Sequence, residues 1–311
     1  MPTRRERIEG GLLGLLVGDA LGVPYEFRSP TEIPKLDLIE MTPPEGMRRS
    51  HQVPPGTWSD DGAQALALAS SLLDQGVLDP DDLGFRLLDW LHQGAYAPDR
   101  YVFDVGIQTS EALADLKRGV PADRSGPTGE DRNGKGSLMR VLPLALWHQG
   151  TDQELVNDAF RQSIVTHGHP RSQVCCGIYC LWARNILEKS RNPWETAVAT
   201  FRELYPLGSI HREELEGAIR PDDPPQGKGS GYVVDCLRSA RLATAAGSYE
   251  RVVKSAIALG NDTDTTACVA GGIAGIRDGV EAIPTRWLDL LRGKEIVAPI
   301  LKGLVERSAS A

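Results

Sequence analysis

Two short stretches of this chain carry carboxylates and hydroxyls at spacings that suit metal chemistry. Ser59, Asp60 and Asp61 stand before one apolar helical run, and Asp262, Thr263, Asp264 and Thr265 stand before another. Each stretch alone reads as a helix cap, because Ser, Thr and Asp accept first-turn amides and acids suit the positive end of the helix dipole. One capping side chain is enough for that, yet each stretch supplies two carboxylates and at least one hydroxyl. If the two helix ends meet, four negative charges repel strongly unless cations lie between them. Oxygen-only donors favour Mg²⁺ or Mn²⁺ over zinc, and a pair of ions about 4 Å apart is the natural arrangement for so many ligands. An EF-hand is excluded: counted from Asp262, its glycine position is Ala267 and its closing glutamate position is Ile273.

A second chemical candidate is the run from Gly129 to Gly136. It approaches a P-loop, but that motif needs Ser or Thr where Gly136 stands and an apolar strand before it, and a polar segment from Pro121 to Ser125 precedes it instead. What survives is a glycine-rich turn of Gly134, Lys135 and Gly136. Ser137 is a good N-cap for a helix carrying Leu138, Met139 and Val141, and amides at such a start suit an anion such as a diphosphate; a plain connection fits equally well. Tyr232, after the turn from Gly227 to Gly231, can stack on an adenine or face the core at a helix start. Glu26, after Pro24 and Tyr25, reads alone as a loop charge, and Asp104 as a cap before Val105. His167 and His169 flank Gly168 ahead of Pro170, where a turn role is favoured over a ligand or switch.

The elements that must position these groups are helical. Apolar spacing of three and four predicts helices over 6–23, 63–73, 81–95, 103–118, 152–164, 170–189, 193–203, 232–246 and 249–259, behind Asp264, and again at the C-terminal end. Gly10, Gly11, Gly14 and Gly18 give the first of these a small-residue face. Ala267, Ala270, Gly271 and Ala274 do the same for the helix behind Asp264, so both can pack closely against neighbours. Residues 28–56, rich in Pro and polar groups, form an irregular excursion. Alternating β-type runs are almost absent. The expectation is one all-α, multi-helix domain over residues 1–311, without flexible linker or internal repeat.

The totals agree. Of 311 residues, 41% are hydrophobic and 24% charged, so the chain buries a sizeable core. A formal charge of -8 disfavours binding nucleic acid by phosphate neutralisation. Five cysteines, with Cys175, Cys176 and Cys180 crowded into one helix, read as reduced core thiols rather than a disulfide or zinc framework. The apolar run from Gly11 to Gly18 is short, preceded by Glu6 and Glu9 and ended by Asp19, so it is read as neither signal peptide nor membrane span and the protein as cytoplasmic.

With these residues in view, the chain resembles ADP-ribosylglycohydrolases of the dinitrogenase-reductase-activating type. The resemblance rests on five ordered motifs: Gly18 to Gly22 with Glu26, Trp58 to Asp61, Lys135 to Arg140, Thr166 with His167, and Gly260 to Thr265. It spans Gly10 to about Leu291. It implies an all-α fold and two Mg²⁺ or Mn²⁺ ions held by Ser59, Asp60, Asp61, Asp262, Asp264 and Thr265. It further implies Glu26 as acid/base or gate, Asp60 and Asp61 in the catalytic set, and Asp104 as the carboxylate that holds a guanidinium. Gly134, Lys135, Gly136, Ser137 and Met139 would form the substrate cradle, with His167 supporting the pocket; Tyr232, read from its own position, would join it as a stacking residue. Ser59 replaces a frequent Thr, Asn261 a frequent Gly, and Lys135 a frequent Asn. The implied activity is removal of ADP-ribose from a modified protein, most plausibly from arginine, with no membrane, nucleic-acid or obligate protein partner. Two alternatives stay open: a binding or structural protein without activity, and a two-metal hydrolase of another ADP-ribosyl or nucleotide substrate.

Overall fold

The computed structural model describes residues 1–309, among which there are fourteen α-helices, no β-strand and two isolated β-bridges. The helices are α1 (Arg4–Gly22), α2 (Asp60–Gln75), α3 (Pro80–Gln93), α4 (Ile107–Lys117), α5 (Leu142–Trp147), α6 (Asp152–Ile164), α7 (Pro170–Leu187) and α8 (Pro193–Leu204). They continue as α9 (Ile210–Glu214), α10 (Val233–Thr244), α11 (Tyr249–Ile257), α12 (Thr263–Asp278), α13 (Thr285–Leu290) and α14 (Lys294–Ala309). The all-α expectation holds.

Helices α1 and α12 run antiparallel with their backbones in contact. A Cβ added to Gly10 would lie 2.3 Å from the Gly275 carbonyl oxygen, one on Gly14 2.6 Å from that of Gly271, and one on Gly18 2.2 Å from that of Ala267. The spacing of four in both sequences makes this possible, because residues four apart share a helix face. Thr3 and Glu6 close a capping box at the start of α1, and Tyr249 on α11 donates to the Gly14 carbonyl at 2.8 Å. By length and composition α1 can cross a membrane, but 89% of its most apolar window is buried in the protein. Around this pair, α2, α5, α7, α10 and α11 close one hydrophobic cluster in which Leu12, Leu15, Leu16, Ala267 and Ala270 are fully buried.

Most expected helices form, with ends shifted by a few residues. The structure departs from expectation at two places and adds an element at a third. Residues 138–141 are turns rather than a helix capped by Ser137; α5 begins only at Leu142. The reason is Pro143, which has no N–H to give the carbonyl four residues back, so the helical ladder cannot run through Met139. Helix α4 begins at Ile107, since Asp104 has a positive φ of 55° and cannot sit in the first turn of an α-helix. A short helix, α9, followed by a π-turn over Leu215–Ile219, fills a stretch for which no element was expected or excluded. Ser209 caps it by accepting from the Arg212 amide at 3.3 Å, and Glu216 bridges Arg202 and Arg212.

The contact between α1 and α12 sets a stability expectation. Gly18→Ala should cost about 1–3 kcal/mol in denaturant unfolding, as an overpacked helix contact does. Gly217→Ala, where an added Cβ meets nothing within 4 Å, should stay within about 0.5 kcal/mol. Equal effects would show that the two backbones are not so close.

Candidate functional site

The C-terminal end of α1 organises the site. Asp19, fully buried, accepts from the Ser59 amide at 2.9 and 3.1 Å and from the Gly62 amide at 2.8 Å, which fastens the N-terminus of α2 to α1. Gly22 lies against the start of α12, where an added Cβ would be 2.4 Å from Asp264 Cα, and Thr263 donates to the Gly22 carbonyl at 2.8 Å. Two helix N-termini thus meet beside one anchor.

Because Asp19 and Ser59 Oγ take the first amides of α2, Asp60 and Asp61 are not needed as caps. Asp60 Oδ2 accepts from Gln64 at 3.2 Å, and Asp61 Oδ1 from Thr265 Oγ1 at 3.0 Å. Asp264 Oδ1 accepts from the Thr265 amide at 2.9 Å. The remaining oxygens Asp60 Oδ1, Asp61 Oδ2 and Asp264 Oδ2 are buried without a hydrogen-bond donor. Asp19, Asp61 and Asp264 each bring an oxygen within 4.8 Å of the others, as do Glu26, Asp262 and Asp264. Burial raises Asp60, Asp61 and Asp264 well above the usual carboxylate range, and neighbouring carboxylates add to it. Each pair at about 5 Å and an effective dielectric of about 20 repels by about 3 kcal/mol, so a few uncompensated pairs rival a whole protein's stability. Hard oxygen donors, buried and unsatisfied, fit a divalent cation such as Mg²⁺ or Mn²⁺. Cys268 is not among them; its thiol faces the Met139 carbonyl oxygen at 3.7 Å.

Lys135 enters this cluster from the opposite side. Its Nζ donates to Thr265 Oγ1 at 2.5 Å and pairs with Asp262 Oδ1 at 3.3 Å. Burial opposes the ammonium, but Asp262, Asp61, Asp264 and Asp60 outweigh it and keep the group protonated well above the ordinary lysine range.

Two cavities adjoin at Lys135. One, about 510 Å³, is lined by Asp60, Gln108, Thr109, Asn133, Gly134, Lys135, Gly136, Met139, His167 and Tyr232. The other, about 490 Å³, is lined by Glu26, Phe27, Asp104, Lys135, Gly231 and Asp262. The bridge between Gly134 and Tyr232 ties together two walls of the first cavity. Glu26, nearly fully buried, is pushed up to about 12 by burial and then by Asp264 and Asp104. Its Oε2 lies 2.6 Å from His51 Nε2, and burial lowers His51, so the two form a hydrogen bond between neutral partners. His167 is held neutral by burial and then by Arg140 and Lys135. Its Nδ1 is 2.8 Å from Thr166 Oγ1, and its ring leaves no room for a Cβ on Gly136, which would stand 2.7 Å away.

Not every expected site residue reaches a cavity. Ser137 is buried, and its Oγ accepts from Ser163 at 2.9 Å and from the Cys176 thiol at 3.4 Å. Gly134 already gives its amide to Gln108 Oε1 at 3.2 Å. With no helix starting here, the expected helical anion cradle is absent. Tyr232 is 40% exposed at a cavity wall and not core-facing. His169 caps α7 by accepting from the Arg171 amide. Sequence reading passed over Asp19, His51 and Asn133. A carboxylate ending a buried glycine-rich helix signals the first, since such a charge needs partners. Nothing local signals His51, which meets Glu26 across 25 positions of irregular chain.

The sequence profile of the ADP-ribosylglycohydrolases matches residues 1–311. The chain is 28% identical over 306 residues to the ADP-ribosylarginine hydrolase Tri1 of Serratia proteamaculans, covering 96% of this chain and 79% of that protein. It is 28% identical over 293 residues to the ADP-ribosyl-[dinitrogen reductase] glycohydrolase of Rhodospirillum rubrum, covering 93% and 92%. A solved ADP-ribosylglycohydrolase-related protein complex superposes with a TM-score of 0.79 at 32% identity, covering 99% of this chain and all of that one.

Asp19 provides a test of the electrostatics. Burial raises it from the ordinary 3.8 to about 7. The folded chain thus keeps a proton that the unfolded chain has lost, and stability falls as pH rises from about 4 to about 7. In EDTA, the melting temperature of Asp19→Asn minus that of the wild type should increase across this window. A difference that does not change with pH would contradict the burial of a charge there.

Proposed function

The chain belongs to the ADP-ribosylglycohydrolase family, and we propose that it is a divalent-metal-dependent hydrolase that frees ADP-ribose from arginine side chains of modified proteins. The observation that carries this reading is the set of buried, donor-less carboxylate oxygens at the junction of two cavities. One cavity is large enough for a nucleotide and the other is acidic. The names of the two relatives, an arginine hydrolase and a dinitrogen reductase glycohydrolase, support the substrate class.

Asp60, Asp61, Asp262 and Asp264, with Ser59 and Thr265 beside them, are the residues that would hold metal; two ions are what the motif resemblance implies. A divalent ion there supplies positive charge for the ribose hydroxyls and for an attacking water. The protein's own groups do the rest. Tyr232, Asn133 and His167 form the wall for the ADP moiety; Asn133 Oδ1 is a buried acceptor still open to a substrate N–H or O–H. Asp104, held at positive φ in the acidic cavity, faces the side expected for a guanidinium. Glu26, beside His51, gives its proton to the departing guanidino nitrogen as the anomeric C–N bond breaks and the water oxygen bonds to that carbon, and the carboxylate left on Glu26 takes up the proton the water loses. Asp60 and Asp264 stabilise the positive charge that develops on the sugar. Arg140 steadies this arrangement from behind: it donates to Gln64 at 3.0 Å, and Gln64 donates to Asp60.

The test is release of free ADP-ribose from an arginine-ADP-ribosylated protein, with Mg²⁺ or Mn²⁺ and with EDTA. Release should require the metal, and Asp264→Ala should lower it at least about 100-fold. AMP or phosphate as the product, or wild-type turnover by Asp264→Ala, would overturn the assignment. Glu26→Gln should lower kcat by about 100-fold or more, the usual worth of a positioned proton donor. Unchanged kcat would remove Glu26 from the mechanism.

A further inference from the structure

We propose that the Lys135 ammonium is a resident cation of the carboxylate cluster, occupying the place of one divalent ion, so that this chain holds a single metal. The inference rests on reading the cluster as a metal centre and concerns how many ions it takes.

The argument starts from donors. Thr265 Oγ1 gives its own proton to Asp61 Oδ1 at 3.0 Å and accepts from Lys135 Nζ at 2.5 Å. Asp262 Oδ1 faces the same Nζ at 3.3 Å. The ammonium thus joins the N-termini of α12 and α2, directly at Thr265 and Asp262 and through Thr265 at Asp61. These are oxygens that a second ion would need. A bound Mg²⁺ lies about 2.1 Å from its ligands. An ion on Thr265 Oγ1 and Asp262 Oδ1 would therefore press against the ammonium, cation to cation, with no ligand between them.

The lysine is not free to step aside easily. Its carbonyl oxygen accepts from the Leu138 and Met139 amides at 2.8 and 3.1 Å, Gly134 is bridged to Tyr232, and Gly136 is wedged against His167. The backbone is pinned on both sides, and the side chain projects from it to the cluster. Helix N-termini are positive ends where a cation is ordinarily unwelcome. Lys135 sits at two of them because the carboxylates outnumber it. Asp61 Oδ2 and Asp264 Oδ2 have no hydrogen-bond donor, and Asp61 and Asp264 bring carboxylate oxygens within 4.8 Å of each other at a group that does not include Asp262, which leaves a place for one ion.

The experiment counts ions. The full chain, stripped with EDTA and dialysed against Mn²⁺, is assayed for bound metal by mass spectrometry and by the Mn²⁺ paramagnetic resonance spectrum. The wild type should bind one Mn²⁺ per chain, with the spectrum of an isolated ion. Lys135→Asn should bind two and show a spin-coupled pair. Lys135→Met, which removes the charge but keeps an unbranched side chain, checks that any gain follows the charge and not a new amide ligand; it too should bind more than one ion. Two ions on the wild type would overturn the proposal and leave the metal-centre reading intact. One ion on the wild type and on both variants would also overturn it, since the lysine would not be what limits the count. No binding by any chain would overturn both.

Discussion

Asp60, Asp61, Asp262 and Asp264 repel one another, and they are held together because α2 and α12 are both fastened to the last turns of α1. The fastening is of two kinds. On α12 it is steric: glycine against glycine along the helix brings Gly22 against the backbone of Asp264. On α2 it is a buried carboxylate, Asp19, holding the Ser59 and Gly62 amides. Apolar packing and backbone contact thus supply the force that gathers the charges. The cost of the gathered charges is what makes the place selective for a cation.

The same arrangement explains how the surrounding groups divide their work. Since Asp19 and Ser59 satisfy the first turn of α2, the acids of that turn are left with oxygens to offer. Since Glu26 is buried and lies among other carboxylates, its acid form is favoured, and the contact with His51 holds the carboxyl group in place. Lys135 lines both cavities and brings a positive charge to their junction. Removing charge from any one of these groups shifts the requirement on the others, so their effects are not expected to add.

Much of this was legible in the sequence. Glycine and alanine at intervals of four marked the helices that touch, and the paired acids marked the ends that meet. What was not legible depended on long-range contact or on a single breaking residue. Pro143 delays α5 and turns Ser137 into a core group, although Ser137 has the composition of an N-cap. His51 lies in a loop whose path is set by bonds such as that from Tyr25 to the Glu40 carbonyl, and no spacing rule brings it to Glu26. Lys135 read as a turn residue near an anion; its reach across 130 positions to Thr265 follows only from the fold.

The most direct measurement is anomalous diffraction at the manganese edge from crystals grown with Mn²⁺. The account predicts one peak beside Asp61 and Asp264, with Lys135 Nζ still beside Thr265 and Asp262. No peak at the junction of α2 and α12, or two peaks with the lysine displaced, would contradict it.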